Sequence, residues 1–178
     1  MRKSLILLGI LNDLDTSWLI RVGVKRPFAS GEIIVEQGRK LDAMFVVLSG
    51  RLGVTSGAVH VATLSAGEIV GEMSLIDARP PSATVSGNEG GWVLSIPRSE
   101  IEDHAAQDQG FAARLYKAIA VFLSLRLRTT VSTLGYGNNS GLQEDVSDED
   151  EIPMELLEEM NLAAIRFSTL QERSRTSA

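Results

Sequence analysis

The sequence predicts a small domain built mainly of short β-strands, with helices flanking it on both sides. Three observations carry this prediction. Between residues 31 and 96, short runs rich in Val, Ile, Thr and aromatic residues recur; glycine separates them; and on either side the apolar residues return to a helical period. Strands of that length and spacing fit a sandwich, a barrel or a jelly roll. A length of 178 residues favours one core with appendages over two cores. Hydrophobic residues at 44% and charged residues at 22% are sufficient to bury such a core.

The first element follows Met1-Arg2-Lys3, where the apolar run Leu5–Leu11 superficially resembles a signal peptide. No small-residue cleavage site follows it, and the run is far short of the ~20 residues that span a bilayer. The apolar pattern continues through Leu14, Trp18, Leu19 and Val22, so one packed amphipathic helix is expected here.

After Pro27 the pattern changes to strands at Glu32–Val35, Met44–Leu48, Leu52–Thr55, Ala58–Leu64, Ala83–Ser86 and Trp92–Ile96. Gly31, Gly38, Gly50, Gly57, Gly67 and the pair Gly90-Gly91 separate them, and Ser56-Gly57 reads as a hairpin turn. From Pro97 the period is helical again. Ser99 and Glu102 have the spacing of a capping box. A longer helix is expected over Phe111–Leu134, with Leu115, Ile119, Phe122 and Leu125 as its apolar stripe.

Gly135 to Ser140 breaks that helix, and the acidic run Glu144 to Glu151 reads as a disordered linker. Pro153 then opens a last helix with Leu156, Leu157, Met160, Ala164 and Phe167 apolar. Acids at Glu155, Glu158 and Glu159 suit the positive end of its dipole. This helix is expected to dock on its own domain or a dimer partner, in preference to serving another protein. The chain thus divides into a domain at 1–134, an acidic linker at 135–152 and a C-terminal amphipathic helix with its tail at 153–178.

Charge follows the same division. Residues 1–142 are near neutral, whereas 143–178 carry three arginines against ten acids. Neither part has the basic footprint of a nucleic-acid-binding surface. The absence of cysteine excludes a disulfide scaffold and a Cys-ligated zinc, and fits a soluble protein of the reducing cytoplasm.

Two stretches carry a more specific pattern. The first is Gly31-Glu-Ile-Ile-Val-Glu-Gln-Gly38, then Asp42-Ala-Met-Phe45 and Val46-Val-Leu-Ser-Gly50. The second is Leu64-Ser-Ala-Gly67-Glu-Ile-Val-Gly71-Glu72-Met73-Ser74-Leu75, followed by Ser82-Ala83-Thr84-Val85. In order and spacing these resemble the cyclic-nucleotide-binding domain family, which includes catabolite-activator regulators, kinase regulatory subunits and nucleotide-gated channels. The likeness runs from about Leu11 to Leu134. It implies a double-stranded β-helix, or jelly roll, with a phosphate-binding cassette inside it.

The cassette residues make chemical sense for that role. A cyclic phosphate needs converging N–H donors, which a helix start over Gly71, Glu72, Met73 and Ser74 can present. Glycine at 71 allows close approach of the backbone to a ligand. The resemblance makes Glu72 the ligand of the ribose 2′-hydroxyl; the alternative is that it only caps local backbone groups. Ser82, the Ala83 N–H and Thr84 complete the cassette. Family members place an arginine immediately before the position of Ser82, and this chain has Pro81 there. Proline has no donor, and hydrogen bonds to charged groups contribute roughly 1.5–3 kcal/mol each. The missing arginine therefore weakens phosphate binding. Arg79 would compensate if the Pro80-Pro81 turn folds it inward; otherwise it projects into solvent or pairs with Asp77.

Other chemistry has no positive support. His60 and His104 are too far apart in sequence for a local metal motif, and no nucleophile elbow, P-loop or dinucleotide fingerprint is present. The segment after the long helix is acidic and lacks the paired helices of a helix-turn-helix. The expectation is a non-enzymatic, stand-alone regulatory sensor. It requires no cofactor, takes cAMP or cGMP as its ligand, and contacts neither nucleic acid nor membrane. Dimerisation is expected through the Phe111–Leu134 helix, from which Thr129 and Thr130 could cover the purine, and a protein partner through the tail helix. The competing expectation is a ligand-free interaction module that keeps the roll only as a scaffold.

Overall fold

The computed structural model describes residues 6–77, 79–136 and 154–175, with side chains for all of these but 129–130, 132–136, 154–160 and 174–175. In chain order the elements are α1 (Ile6–Ile10), α2 (Asp13–Val22), β1 (Val24–Phe28), β2 (Ile33–Val35), β3 (Ala43–Ser56), β4 (Val59–Leu64), β5 (Ile69–Val70), α3 (Met73–Asp77), β6 (Thr84–Pro97), α4 (Arg98–Gln107), α5 (Gln109–Tyr136) and α6 (Met154–Arg175). The strands form one antiparallel sheet, ordered β1-β6-β3-β4, with β2 also paired to β6 and β5 to β3. The path is not closed into a barrel.

Alternation along β3 divides the core in two, because successive side chains of a strand face opposite ways. Met44, Val46 and Leu48 join Leu94 and Ile96 against the helices, in a cluster with Leu19, Phe111, Leu115 and Ile119. Phe45 and Val47 face the interior of the roll with Phe28, Val35, Val70, Val85 and Val93.

Gly50 and Gly90-Gly91 do not end strands, as the sequence suggests; β3 and β6 run through them. They are the places where the paired strands bend past each other, with register shifts around Ser49 and Arg51. A Cβ on Gly91 would lie 2.2 Å from the Ser49 carbonyl oxygen, and one on Gly50 would lie 2.7 Å from that of Gly90. Close backbone approach requires these glycines, and Gly50 also has φ of +80°. The hairpin joining β3 to β4 turns at Gly57-Ala58, one residue later than expected. Strands β1 and β5 have no counterpart in the sequence reading, being short or half-exposed.

The N-terminal helix is two helices. Asn12 interrupts it and forms a reciprocal capping box with Asp15, leaving Leu14 81% exposed instead of on the apolar stripe. The expected capping box at Ser99 is absent. Pro97 occupies the N-cap of α4 with no side-chain bond, Ser99 lies within the helix, and Glu102 accepts from Arg98 Nε at 2.6 Å. Asp108 instead caps α5, accepting from the Phe111 N–H at 2.9 Å.

Helices α2, α4 and α5 are locked together by polar and aromatic contacts. His104 stacks on Trp18 with ring centroids 4.3 Å apart, and both rings meet Phe111. The guanidinium of Arg114 donates to both Asp15 oxygens, at 2.6 and 2.9 Å. Burial pushes the Asp15 carboxyl up, but these bonds and the Asn12 backbone bond outweigh it and hold it below the usual range.

Helix α6 docks on α1 and α2 of its own chain. Ala163 and Leu170 are fully buried and Phe167 packs beside them, whereas Ala164 points outward, one position off the expected stripe. Arg166 donates to the carbonyls of Leu8 and Gly9 at the end of α1, and to Asp13 at the start of α2. The acidic run Glu144–Glu151 lies outside the described residues. Among the described residues, no helix is long and apolar enough to cross a membrane.

Candidate functional site

The site is built where β5 ends and the chain turns into α3. Gly71 holds φ of +88°, which L-residues rarely adopt, and this reverses the chain into the short helix. The space a Cβ would need there is filled: it would lie 2.7 Å from Leu41 Cδ2 and 2.8 Å from the Ala43 carbonyl. Close packing against β3 and the loop before it, together with the positive φ, demands glycine at 71.

Glu72 comes next, only 2% exposed. Its Oε1 lies 2.9 Å from Nη1 of Arg126 on α5, whose Nη2 also donates to the Ile69 carbonyl at 3.3 Å. The guanidinium stands over the ring of Phe122, 4.3 Å from its centroid. Burial pushes the Glu72 carboxyl above the usual carboxylate range; the positive charge of Arg126 and a backbone hydrogen bond oppose that rise. Among the described residues no buried side-chain nitrogen or oxygen lacks a partner.

The remaining residues are distributed around this pair. Ser74 is buried beside Glu72, with its N–H donating to the Gly71 carbonyl at 3.3 Å, while Met73 is 49% exposed. Ser82 is exposed, and Ala83 and Thr84 are half-buried. The hydroxyl of Thr84 accepts from the Gln37 N–H at 3.1 Å, and the Pro81 carbonyl accepts from the Gly38 N–H at 2.9 Å. Arg79 is not turned inward. Its side chain is 84% exposed and sits beside Asp77, which also accepts from the Arg79 N–H at 3.1 Å. Thr129 and Thr130 lie on α5, but their side chains fall outside the described residues.

Arg126, the partner of Glu72, is not among the residues the sequence singles out. The signal was available: with Leu115, Ile119 and Phe122 on the buried stripe, the next position of the 4-3-4 spacing is 126. An arginine there lays its stem on the apolar face and directs its guanidinium to the buried Glu72 carboxylate.

An antiparallel roll with a short helix inserted between β5 and β6, and long helices against one face, defines a jelly-roll-like domain. Residues 25–108 match the family model of the cyclic nucleotide-binding domain. A cyclic nucleotide-binding domain from Methylobacillus flagellatus kt superposes with a TM-score of 0.66 at 17% identity, covering 77% of this chain and 85% of that one. The Thermus thermophilus catabolite activator protein gives 0.61 at 24% identity, covering 74% of this chain and 62% of that one. Both likenesses concern the fold. In sequence, the cGMP-dependent protein kinase of Eimeria tenella is 33% identical over 93 residues, which is 52% of this chain and 9% of the kinase. The chain therefore spans less than a tenth of that kinase's length.

Proposed function

We propose that this chain is a non-catalytic regulatory module that takes cAMP or cGMP at Gly71–Ser74 and Ser82–Thr84 and reports occupancy through α5. The observation that carries this reading is the Glu72–Arg126 pair. It ties the carboxylate suited to a ribose hydroxyl to the helix best placed to move. A ribose that engages Glu72 competes with Arg126 for the same oxygens, so binding changes what holds α5 against the roll. Pro81 and the surface position of Arg79 make the affinity lower than in a cassette with an inward-facing arginine.

Calorimetry with cAMP, cGMP and cyclic dinucleotides tests this. Saturable binding that Glu72→Ala abolishes supports the sensor; no heat at millimolar ligand rejects it. The second reading, a ligand-free scaffold, draws on the same pair, since Glu72 is already satisfied without ligand.

Two finer features belong to the proposal. Tyr116, Ala120, Leu127 and Val131 form an exposed row on one side of α5, spaced by four, seven and four residues. A second copy would cover it, and a monomeric mass by light scattering at high concentration would reject that dimer. On α6, Leu162 and Ile165 stay exposed opposite the docked face and are the residues a protein partner would contact.

A further inference from the structure

We propose that Arg39, on the loop between β2 and β3, supplies the positive charge that Pro81 withholds, and so forms the anionic subsite for the ligand's cyclic phosphate. This rests on the cyclic-nucleotide reading above.

The loop is fastened to the end of the cassette. The Gly38 N–H donates to the Pro81 carbonyl at 2.9 Å, and the Gln37 N–H donates to the Thr84 hydroxyl at 3.1 Å. Successive Cα atoms are about 3.8 Å apart, so Arg39 leaves the chain one residue from Gly38, the residue bonded to Pro81, where the cassette lacks its cation. The same loop borders a cleft of about 420 Å³, lined by Ile33, Ile34, Glu36, Arg39, Lys40 and Leu41. That volume falls within the range of small-molecule sites. Leu41, one wall of the cleft, is the side chain that fills the space beside Gly71. Cleft and cassette thus share a wall.

The charge on Arg39 can be redirected. Its Nη1 sits 3.0 Å from Glu36 Oε2, with the two side chains 78% and 53% exposed. Pairs of that kind are weak because water competes for both ions. A phosphate accepting two parallel N–H bonds from a guanidinium makes a stronger, charge-assisted contact. Glu36 is therefore the resting counter-ion, and the phosphate would replace it. Lys40 is a second cation on the loop, but it is paired to Asp42 at 3.1 Å and lacks the planar fork.

The test uses the full chain and calorimetry with cAMP and cGMP at two salt concentrations. Arg39→Gln should weaken binding at least tenfold and flatten its salt dependence. Glu36→Gln should tighten it severalfold, because the competing carboxylate is gone. Arg51→Gln, which removes another exposed, paired arginine on β3, should change nothing. Adding Pro81→Arg to Arg39→Gln should restore affinity. All these positions are exposed or half-buried, and unchanged melting temperatures would show that the fold is kept. Binding that depends on Glu72 but is equal in wild type and Arg39→Gln overturns this inference and leaves the cassette reading intact. Equal losses in Arg39→Gln and Arg51→Gln also overturn it. No binding by the wild-type chain at millimolar nucleotide overturns both.

Discussion

Nη1 of Arg126 lies 2.9 Å from Oε1 of Glu72, joining a carboxylate that is 2% exposed to a helix that begins after the roll is complete. An unpaired carboxylate at that depth would carry a heavy desolvation cost. The guanidinium offsets part of it, since the carboxyl stays raised despite the positive charge, and the Arg126 side chain itself remains about one-third exposed. The pair therefore ties α5 to the roll at Glu72.

Arg126→Met is expected to destabilise the chain by about 2 kcal/mol, since breaking a buried pair strands its partner. The figure sits below the usual range because Arg126 is partly hydrated. Thermal unfolding should show a drop of roughly 4–8 °C for a protein of this size. Adding Glu72→Gln should recover much of the loss, because a neutral amide needs no counter-ion. Strict additivity of the two substitutions would refute the coupling.

Acid should act on two carboxyls in opposite senses. Asp15 is held below its unfolded value, so it binds fewer protons folded than unfolded. Its stabilisation is complete above about pH 4 and is lost as pH falls through the depressed folded value. Glu72 is raised, so its contribution is greatest below its unfolded value and fades as pH rises through the folded one. Asp15→Asn should make the chain less stable near neutrality and remove part of its acid sensitivity. Glu72→Gln should leave the loss on acidification steeper than in wild type. Denaturant titrations between about pH 3 and pH 7 read both; parallel curves for the three proteins would contradict the assignment.

Most of the roll was legible because its signals are local. The short apolar runs Met44–Leu48 and Trp92–Ile96 and the stripe Leu115-Ile119-Phe122 announce their elements without reference to anything distant. Less legible are residues whose role depends on a partner far along the chain. Gly50 and Gly91 look like strand ends, yet each is needed because the other strand's backbone passes within contact. Gly71 is likewise held to glycine by Leu41, thirty residues earlier, and by the Ala43 carbonyl, both within 2.8 Å of where a Cβ would sit. Asn12 splits the first helix because its side chain accepts from the Asp15 N–H, a contact that hydrophobic periodicity does not register. In the cassette, the burial of Glu72 is legible from its position, whereas its pairing with Arg126 emerges only in the fold.

Gly91→Ala should cost several kcal/mol and could prevent folding, because its methyl group would lie 2.2 Å from a backbone oxygen that cannot move without breaking the β3–β6 ladder. Gly57→Ala meets no atom within 4 Å, so only the cost of its positive φ remains, about 1 kcal/mol. Denaturant midpoints of the two variants should therefore differ widely. Similar midpoints would mean that the close approach of β3 and β6 at Ser49 is not as described.

Pro81→Arg should raise affinity for cAMP or cGMP by about 10- to 100-fold, from the roughly 1.5–3 kcal/mol of a hydrogen bond to a charged group. The backbone tolerates the change. Pro81 uses only its carbonyl, which still accepts from the Gly38 N–H, and an arginine can adopt the φ that proline fixes. The added side chain leaves the turn one residue before Ser82, beside the donors of Ser82 and Ala83. Because the gain comes from charge, it should shrink as salt is raised from 50 to 500 mM, roughly in step with screening. Glu72→Ala in the Pro81→Arg background separates phosphate from ribose recognition: the arginine's gain should persist while overall affinity falls. If Pro81→Arg binds no more tightly than wild type at low salt, the segment Pro80–Thr84 does not face the phosphate, and the cassette has lost its geometry as well as its charge.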